Sequence, residues 1–134
     1  MSLSITGNFI NNIYHVLSSH EEIKLLVSQV CMSVPSVPTY PFILVELNEL
    51  KAQSSLTQSS YNVDFDVWLF LREKNPQIGF DIANKIDMCL IKSQTNFTDY
   101  TILGMQKQNI TLSKSADALT TKLSIKYLSL IRER

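Results

Sequence analysis

The sequence predicts an α+β domain, in which a mostly antiparallel sheet of four strands, or slightly more, has helices packed on it. Residues 61 to 71 alternate between apolar and polar side chains, as a half-buried strand does. Apolar residues at helical spacing precede this strand, between Ile5 and Leu17, and follow it, after an Asn75-Pro76 helix start. The element order is helix, short helix, strand, strand, helix, strand, strand, which is typical of the α+β class.

Length and composition indicate one globular domain spanning residues 1 to 134. Twelve Lys and Arg balance twelve Asp and Glu, so we expect no sequence-specific nucleic-acid binding and no membrane binding. Cys31 and Cys89 lack the spacing of a zinc or redox motif, and we expect two buried, reduced thiols. The first residues form no basic n-region, so we expect no signal peptide, and no apolar run approaches the ~18 residues of a membrane span. These features favour a soluble, cytoplasmic protein.

The first forty residues predict two helices and an extended connector. The amphipathic helix of residues 5 to 17 should dock on the sheet. Ser19, followed three residues later by Glu22, forms the pattern of a capping box and predicts a second, short helix. Residues 30 to 34 are a possible short strand. Proline then recurs at every third position from 35 to 41, which excludes helix and indicates an extended segment.

Two strands and a polar loop follow the connector. Residues 42 to 50 are apolar on both faces at first, which indicates a strand that enters the core. Residues 52 to 60 are a low-complexity polar stretch, which we interpret as a mobile loop. The second strand is polar on one face until Trp68 and Phe70 make that face apolar as well. Either the helix of residues 76 to 92 or a neighbouring subunit should cover these two rings.

The C-terminal half predicts a helix and a hairpin. Asn75 as N-cap and Pro76 as the first helical residue open the helix. Two strands then run over about 100 to 112 and 119 to 131, joined by a polar turn at 113 to 117. The apolar side of the predicted helix consists of Ile78, Ile82, Ile86, Cys89 and Leu90.

The sequence contains few candidate catalytic residues. His15 and His20 are five residues apart with no nucleophile motif, and the glycines are too isolated to bind phosphate. Asp64 and Asp66 lie on one side of their strand, beside Glu46 if the two strands pair antiparallel. Three carboxylates could hold a divalent cation. A solvated strand face is the simpler interpretation, because no lysine or histidine accompanies them at fixed spacing.

The order of these elements resembles the tail completion proteins of siphophages, prophages and gene transfer agents. The resemblance covers nearly the whole chain and depends mainly on order and spacing. Its local motifs are the strand start Tyr40-Pro41-Phe42 and the strand end Val67-Trp68 ahead of a helix. The chain departs from the usual pattern in its longer, lysine-bearing C-terminal hairpin and its few turn glycines.

The resemblance implies a tail terminator or head-tail joining protein. Such a subunit forms a ring, usually a hexamer, which caps the finished tail tube and offers a surface to the filled head. Members of the family are not enzymes, and no cofactor or metal is implied. The implied partners are further copies of the chain, the tail tube protein and a head-tail connector protein. The implied location is the cytoplasm during assembly, then the tail or head-tail interface of the virion.

A ring subunit needs apolar surface to bury at a heterologous interface. Four residues would lie on the outer face of the predicted sheet and are the candidates for that interface: Trp68, Phe70, Leu128 and Leu130.

The polar loop is the candidate contact with the tail tube. Gln53 and Gln58 could pair with main-chain groups of a tube subunit, and Leu56 could act as the apolar anchor. Two alternatives stay open: another head-tail connector or minor tail protein, and a small metal-dependent hydrolase. The hydrolase would use Glu46, Asp64 and Asp66.

Overall fold

The protein is an α+β domain built on one mixed sheet, as the sequence predicts. The computed structural model describes residues 4–54, 59–92 and 99–134. Within them the sheet has five strands in the order β1-β2-β3-β5-β4; β1 is parallel to β2 and all other neighbours are antiparallel. The elements are α1 (Ser4–Ser19), α2 (Glu21–Leu26), β1 (Gln29–Cys31), β2 (Phe42–Ser54), β3 (Ser59–Leu71), α3 (Pro76–Lys92), β4 (Tyr100–Lys114) and β5 (Thr121–Glu133).

The middle strand, β3, organises the core. Its side chains alternate between buried and half-buried along its length, as the sequence predicts. Phe65 lies at its centre, where its ring packs edge-on against Phe9 of α1 at 5.6 Å and stacks on Tyr127 of β5 at 5.3 Å. These contacts join a helix and two strands, so the core lies between the sheet and the helices.

Helices α1 and α3 pack on the same face of the sheet. Asn75 caps α3 as predicted, because its side-chain oxygen accepts the Gln77 N–H at 3.0 Å. Gly79 allows α3 to approach closely, since a Cβ there would lie 3.3 Å from a methyl carbon of Leu71. The prediction that Ile78 faces the core is wrong, since its side chain is partly exposed and Gly79 takes the buried position.

A polar bridge ties α3 to the sheet. The Tyr127 hydroxyl donates a hydrogen bond to Asp87 at 2.8 Å, and the Lys107 ammonium contacts the other oxygen of that carboxylate at 3.2 Å. Asp87 therefore joins α3 to both β5 and β4. Burial, and then the Asp87 carboxylate, raise the pKa of Tyr127 well above its usual range.

The predicted capping box does not form. The Ser19 hydroxyl donates to the His15 carbonyl in the last turn of α1, and His20 is the N-cap of α2 without a side-chain hydrogen bond. Glu22 instead pairs with Lys85 of α3 at 2.5 Å, and the Lys85 ammonium lowers the pKa of this exposed carboxyl. The predicted strand of residues 30 to 34 is shorter and starts earlier, at Gln29–Cys31.

The hairpin strands extend further than the sequence predicts. Ala52 pairs with Tyr61 and Ser54 with Ser59, so the predicted loop of residues 52 to 60 is strand at both ends. Backbone pairing, which polar side chains do not prevent, lengthens both strands. Residues 55–58 lie outside the described residues, and the mobility of the loop stays a prediction. The predicted β5 is shifted by two residues, because Ala118 adopts a positive φ of 60° and the turn extends to Thr120.

Truncation of Ile86 should destabilise the fold strongly. Ile86 of α3 is fully buried, whereas Ile91 on the same helix is 53% exposed. We expect Ile86→Ala to lower the free energy of unfolding by about 2 to 5 kcal/mol and Ile91→Ala by less than about 0.5 kcal/mol. Urea unfolding of both variants measures the difference. Similar losses in the two variants would contradict this packing of α3.

The stability of the domain should fall at alkaline pH. The folded-state pKa of Tyr127 is raised above the unfolded value of about 10, so its contribution is complete below pH ~10 and is lost as the pH rises further. We expect Tyr127→Phe to cost about 0.5 to 1.5 kcal/mol at neutral pH, because the hydrogen bond to Asp87 is lost.

Thermal melting of Tyr127→Phe between pH 7 and 11 measures both effects, with Tyr14→Phe, half-exposed on α1, as the control. The melting temperature of Tyr127→Phe should fall less above pH 10 than that of the control. An equal alkaline loss in both variants would show that Tyr127 does not carry the effect.

Candidate assembly surfaces

The face of the sheet opposite α1 and α3 is the candidate functional surface, and we call it the open face. Each strand places every second side chain there. Cross-strand pairing aligns these side chains in rows, such as Leu44-Trp68-Ser124 and Glu46-Asp66-Lys126. Its residues on the three inner strands include Phe42, Leu44, Glu46, Glu49, Asp64, Asp66, Trp68, Phe70, Lys122, Ser124, Lys126, Leu128 and Leu130.

One end of the open face is a cluster of aromatic rings. Phe42 of β2 and Phe70 of β3 are cross-strand partners whose rings stack at 4.7 Å, and Trp68 lies 6.1 Å from Phe70. Tyr40 packs on Phe42 at 5.4 Å, and the Arg72 guanidinium lies 4.3 Å above the Tyr40 ring. Phe42 is buried by this packing, whereas Trp68 and Phe70 stay half-buried.

Helix α3 does not cover Trp68 and Phe70. Gly79 of α3 lies against the side chains of Leu71 and Leu123, which point to the opposite face of the sheet. The Trp68 indole nitrogen is buried yet has no hydrogen-bond partner among the described residues. Of the two covers that the sequence allows, α3 is therefore excluded, and a neighbouring subunit remains a proposal.

The second pair of candidate interface residues lies at the other end of the open face. Leu128 pairs with Asp64, and Leu130 pairs with Asn62; both leucines are half-buried. On their other side Leu130 meets Gly104 of β4, which offers no side chain to cover it. Trp68 and Phe70 are thus separated from the two leucines by a band of charged residues.

A β-bulge in β2 decides which carboxylates of this band face each other across the two strands. Glu46 pairs with Asp66 as expected, but Asp64 pairs with Glu49 beyond the irregularity in β2. Asn48, in the bulge, donates to Asp66 at 2.8 Å, and Lys126 contacts Asp64 at 3.4 Å. No group of three acidic, His or Cys side chains in the described part of the chain is placed to hold a metal ion. The hypothesis of a cation site at Glu46, Asp64 and Asp66 is therefore wrong for this geometry.

Part of the predicted tube-contact loop can be located. Gln53 is exposed near the end of β2, where it pairs with Ser60, whose hydroxyl donates to the Gln53 carbonyl at 2.8 Å. Leu56 and Gln58 lie outside the described residues. Gln53 therefore stands at the Leu130 end of the sheet, far from the aromatic cluster.

The two cysteines are free thiols, as expected, although only Cys89 is buried and Cys31 is half-buried. Burial raises the pKa of both thiols, which disfavours the thiolate form. Cys89 borders an open surface pocket of about 390 Å³ at the ends of α1 and α3, together with Val16, Ser19, His20 and Lys92.

Sequence reasoning missed two groups of exposed apolar residues outside the open face. Val34 and Val37 protrude from the connector between β1 and β2, and Ile110 and Leu112 lie on β4 at the opposite edge of the sheet. The repeated Val-Pro pair at residues 34 to 38 was a visible signal. No signal existed for Ile110 and Leu112, because the alternation along a strand is the same whether or not a helix covers it.

No helix in the described ranges is long and apolar enough to span a membrane.

Comparison with known proteins finds similarity in solved structures alone. No protein-family model matches the chain, and no curated protein sequence does. A chain from the virion of a native gene transfer agent particle has a TM-score of 0.81 at 15% identity, over 98% of this chain and 99% of that one. The gp17 protein of bacteriophage SPP1 has a TM-score of 0.62 at 16% identity, over 93% of this chain and 90% of gp17. The predicted resemblance to phage and gene transfer agent proteins is confirmed. Because the identities are 15% and 16%, what is shared is the fold.

Removal of the two aspartates should leave the domain folded. Asp64 and Asp66 lie at the half-exposed centre of the open face, with one polar contact each to Lys126 and Asn48. We expect Asp64→Ala with Asp66→Ala to change the free energy of unfolding by no more than about 1 kcal/mol. Calorimetric titration of the wild type with Mg²⁺ and Mn²⁺ should show no saturable binding. Binding that the double variant abolishes would restore the hydrolase hypothesis.

Proposed function

We propose that the chain is a structural assembly protein of a phage-like particle, acting as a tail terminator or head-tail joining subunit. The observation that carries the proposal is the near-complete fold likeness to a chain of a gene transfer agent virion. The likeness to gp17 adds support, because gp17 is a bacteriophage protein. In this role the protein is not an enzyme and needs no cofactor.

The proposed working form is a homo-oligomeric ring, a hexamer in the manner of the family it resembles. Contacts in a ring are heterologous and bury apolar surface that a free subunit exposes. The open face offers such surface in two places, at Trp68 with Phe70 and at Leu128 with Leu130. The buried indole N–H of Trp68 supports this assignment, since an acceptor supplied by a neighbour would satisfy it.

The proposed partners are the tail tube protein and a head-tail connector protein. Gln53 lies at one end of the domain, and the aromatic cluster lies at the other. Leu56 and Gln58, the other two proposed tube contacts, are outside the described residues. A ring that presents its two ends to different partners would sit between tube and head, as a joining protein must. Assembly would occur in the cytoplasm, and the mature location would be the virion tail or its head-tail interface.

A particle experiment tests this function. The gene is deleted in cells that produce the particles, and the wild-type chain or a variant is supplied in trans. We expect deletion to leave heads and tails unjoined in electron micrographs, and the supplied wild-type chain to restore joined particles and to be found in them by mass spectrometry.

Phe70→Asp places a charge in the proposed open-face contact and should reduce joined particles at least about tenfold. Leu25→Asp, on the highly exposed α2 residue, is the matched control and should behave as wild type. Normal joined particles without the chain would refute the proposed function. A connector or minor tail protein would instead be indicated by a chain bound on the head side or along the tail.

A further inference from the structure

We infer that two copies of the chain pair through their β4 edges, as antiparallel strands related by a two-fold axis at Thr111. The contact joins the sheets of the two copies into one continuous sheet. Residues 109 to 113 carry it, and we call them the pairing segment. The inference goes beyond the proposed function, because it concerns the edge of the sheet and makes no use of the open face.

The outer edge of β4 has no strand beside it in the part of the chain that the structure describes. Every second residue of an edge strand turns its backbone N–H and C=O groups outward, where water or another strand can pair with them. Both faces of β4 are also uncovered over much of its length, since all residues from Gln106 to Lys114 are exposed. The groups along this edge match those of one further extended strand.

The pairing segment is the part of β4 best suited to strand addition. The two irregularities in the pairing of β4 with β5 both lie before Asn109, and the strands then pair without interruption as far as Lys114. Bulges protect an edge by twisting it away from a partner, and the pairing segment has none. It also contains no charge, no proline and no glycine, and two of its residues are β-branched. An exposed edge of this composition readily pairs with another strand.

The pairing segment has a palindromic pattern, which identifies a second copy as the occupant. An aliphatic residue lies on each side of Thr111, namely Ile110 and Leu112, and an uncharged polar residue follows on each side, namely Asn109 and Ser113. A two-fold contact sets residue i of one copy against residue j of the other, and j against i, so it requires a segment that is complementary to itself. A partner of another kind makes no such demand on the sequence.

One register uses this pattern fully. A two-fold axis perpendicular to the sheet keeps the helices of both copies on the same side, so residues directly opposite each other share a face. With the axis at Thr111, Ile110 of each copy lies opposite Leu112 of the other. An axis at Ile110 would set Leu112 against Gln108, and an axis at Leu112 would set Ile110 against Lys114. Only the register centred on Thr111 therefore pairs the aliphatic side chains with each other.

This register covers apolar side chains that the single chain leaves exposed. Ile110 pairs with Ile125 of β5 and Leu112 with Leu123, so both point to the face on which the helices lie. Their partners on β5 are buried, whereas Ile110 is 44% exposed and Leu112 is 50% exposed. In the paired form, the two isoleucines and two leucines become one apolar cluster that continues the core across the junction.

The polar residues around the axis fit the same register. On the open-face side, the two copies of Thr111 lie opposite each other, and Asn109 lies opposite Ser113, which are pairs that can hydrogen-bond across strands. No two charged side chains lie directly opposite each other. The ion pair between Lys107 and Asp87 stays intact within each copy. The contact thus needs no rearrangement of the polar bridge between α3 and the sheet.

A two-fold contact of this kind closes on itself. Once two β4 edges have paired, neither can add another strand, and the sheet cannot grow further through this edge. Free copies of the chain therefore form a dimer in which the segment most prone to nonspecific strand pairing is covered.

Single cysteines test the register directly. Opposite residues of antiparallel strands have Cα atoms about 4.5 to 5.5 Å apart, a distance that a disulfide spans. Thr111→Cys should therefore cross-link to its own copy under mild oxidation and run as a dimer on a non-reducing gel. Asn109→Cys and Ser113→Cys should each stay uncross-linked alone, because each lies about 13 Å along the strand from its own copy, and should cross-link when mixed. The wild type, with only Cys31 and Cys89, is the control.

Sedimentation of the purified full-length chain measures the strength of the contact. Ile110→Lys with Leu112→Lys places four ammonium groups at the junction and should weaken dimer formation at least about tenfold. Leu25→Lys with Leu26→Lys, on exposed residues of α2, is the charge-matched control and should sediment as the wild type does. An unchanged circular dichroism spectrum shows that each variant is folded.

Three results overturn the inference: no cross-link in Thr111→Cys, a cross-link in Asn109→Cys alone, and an Ile110→Lys with Leu112→Lys variant that associates as strongly as the wild type. A dimer formed through another edge or face would give the last result. The particle experiment is separate from these tests, because its variant changes Phe70 on the open face. Joined particles without a β4 dimer would keep the proposed function and refute the edge contact.

Discussion

The structure depends on one constraint, which is that two helices cover only one face of a five-stranded sheet. On that face β3 is buried from Tyr61 to Leu71, whereas Ile110 and Leu112 of the edge strand β4 stay exposed. The helices therefore bury the middle strands of one face but not its β4 edge. The opposite face must be stabilised by its own cross-strand packing or by another molecule. The stacked rings of Phe42 and Phe70 supply such cross-strand packing at one end of the open face, whereas Trp68, Leu128 and Leu130 stay half-buried there.

The same constraint explains which elements the sequence could predict. The alternation in β3 and the Asn75 cap of α3 depend on local chemistry, and both are found as predicted. The limits of β2 and β3 depend on backbone pairing between strands, which polar side chains such as Gln53 and Ser60 do not reveal. The capping box does not form because the Ser19 hydroxyl, which could accept an N–H of α2, instead donates to the His15 carbonyl in the last turn of α1.

The candidate surfaces show a similar division. That Trp68 and Phe70 would share a face could be predicted from strand alternation alone, and so could the pairing of Glu46 with Asp66. The pairing of Asp64 with Glu49 could not, because it results from a bulge at a position where the sequence has the pattern of a regular strand. The exposure of Ile110 was equally hidden, since it depends on how far across the sheet a distant helix reaches. Strand register and the covering of strands by helices are set by tertiary contacts, and no local sequence pattern reveals them.

The distribution of exposed apolar residues is compatible with the proposed role of the chain as an assembly subunit. These residues are divided among the open face, the connector and the β4 edge, and the charged band separates the aromatic cluster from Leu128 and Leu130 on the open face. Small separate patches cause less nonspecific association than one large patch would. The net charge of zero gives no long-range repulsion between copies. Association can therefore be driven by short-range matching of shape and local charge, which favours an ordered assembly over random aggregation.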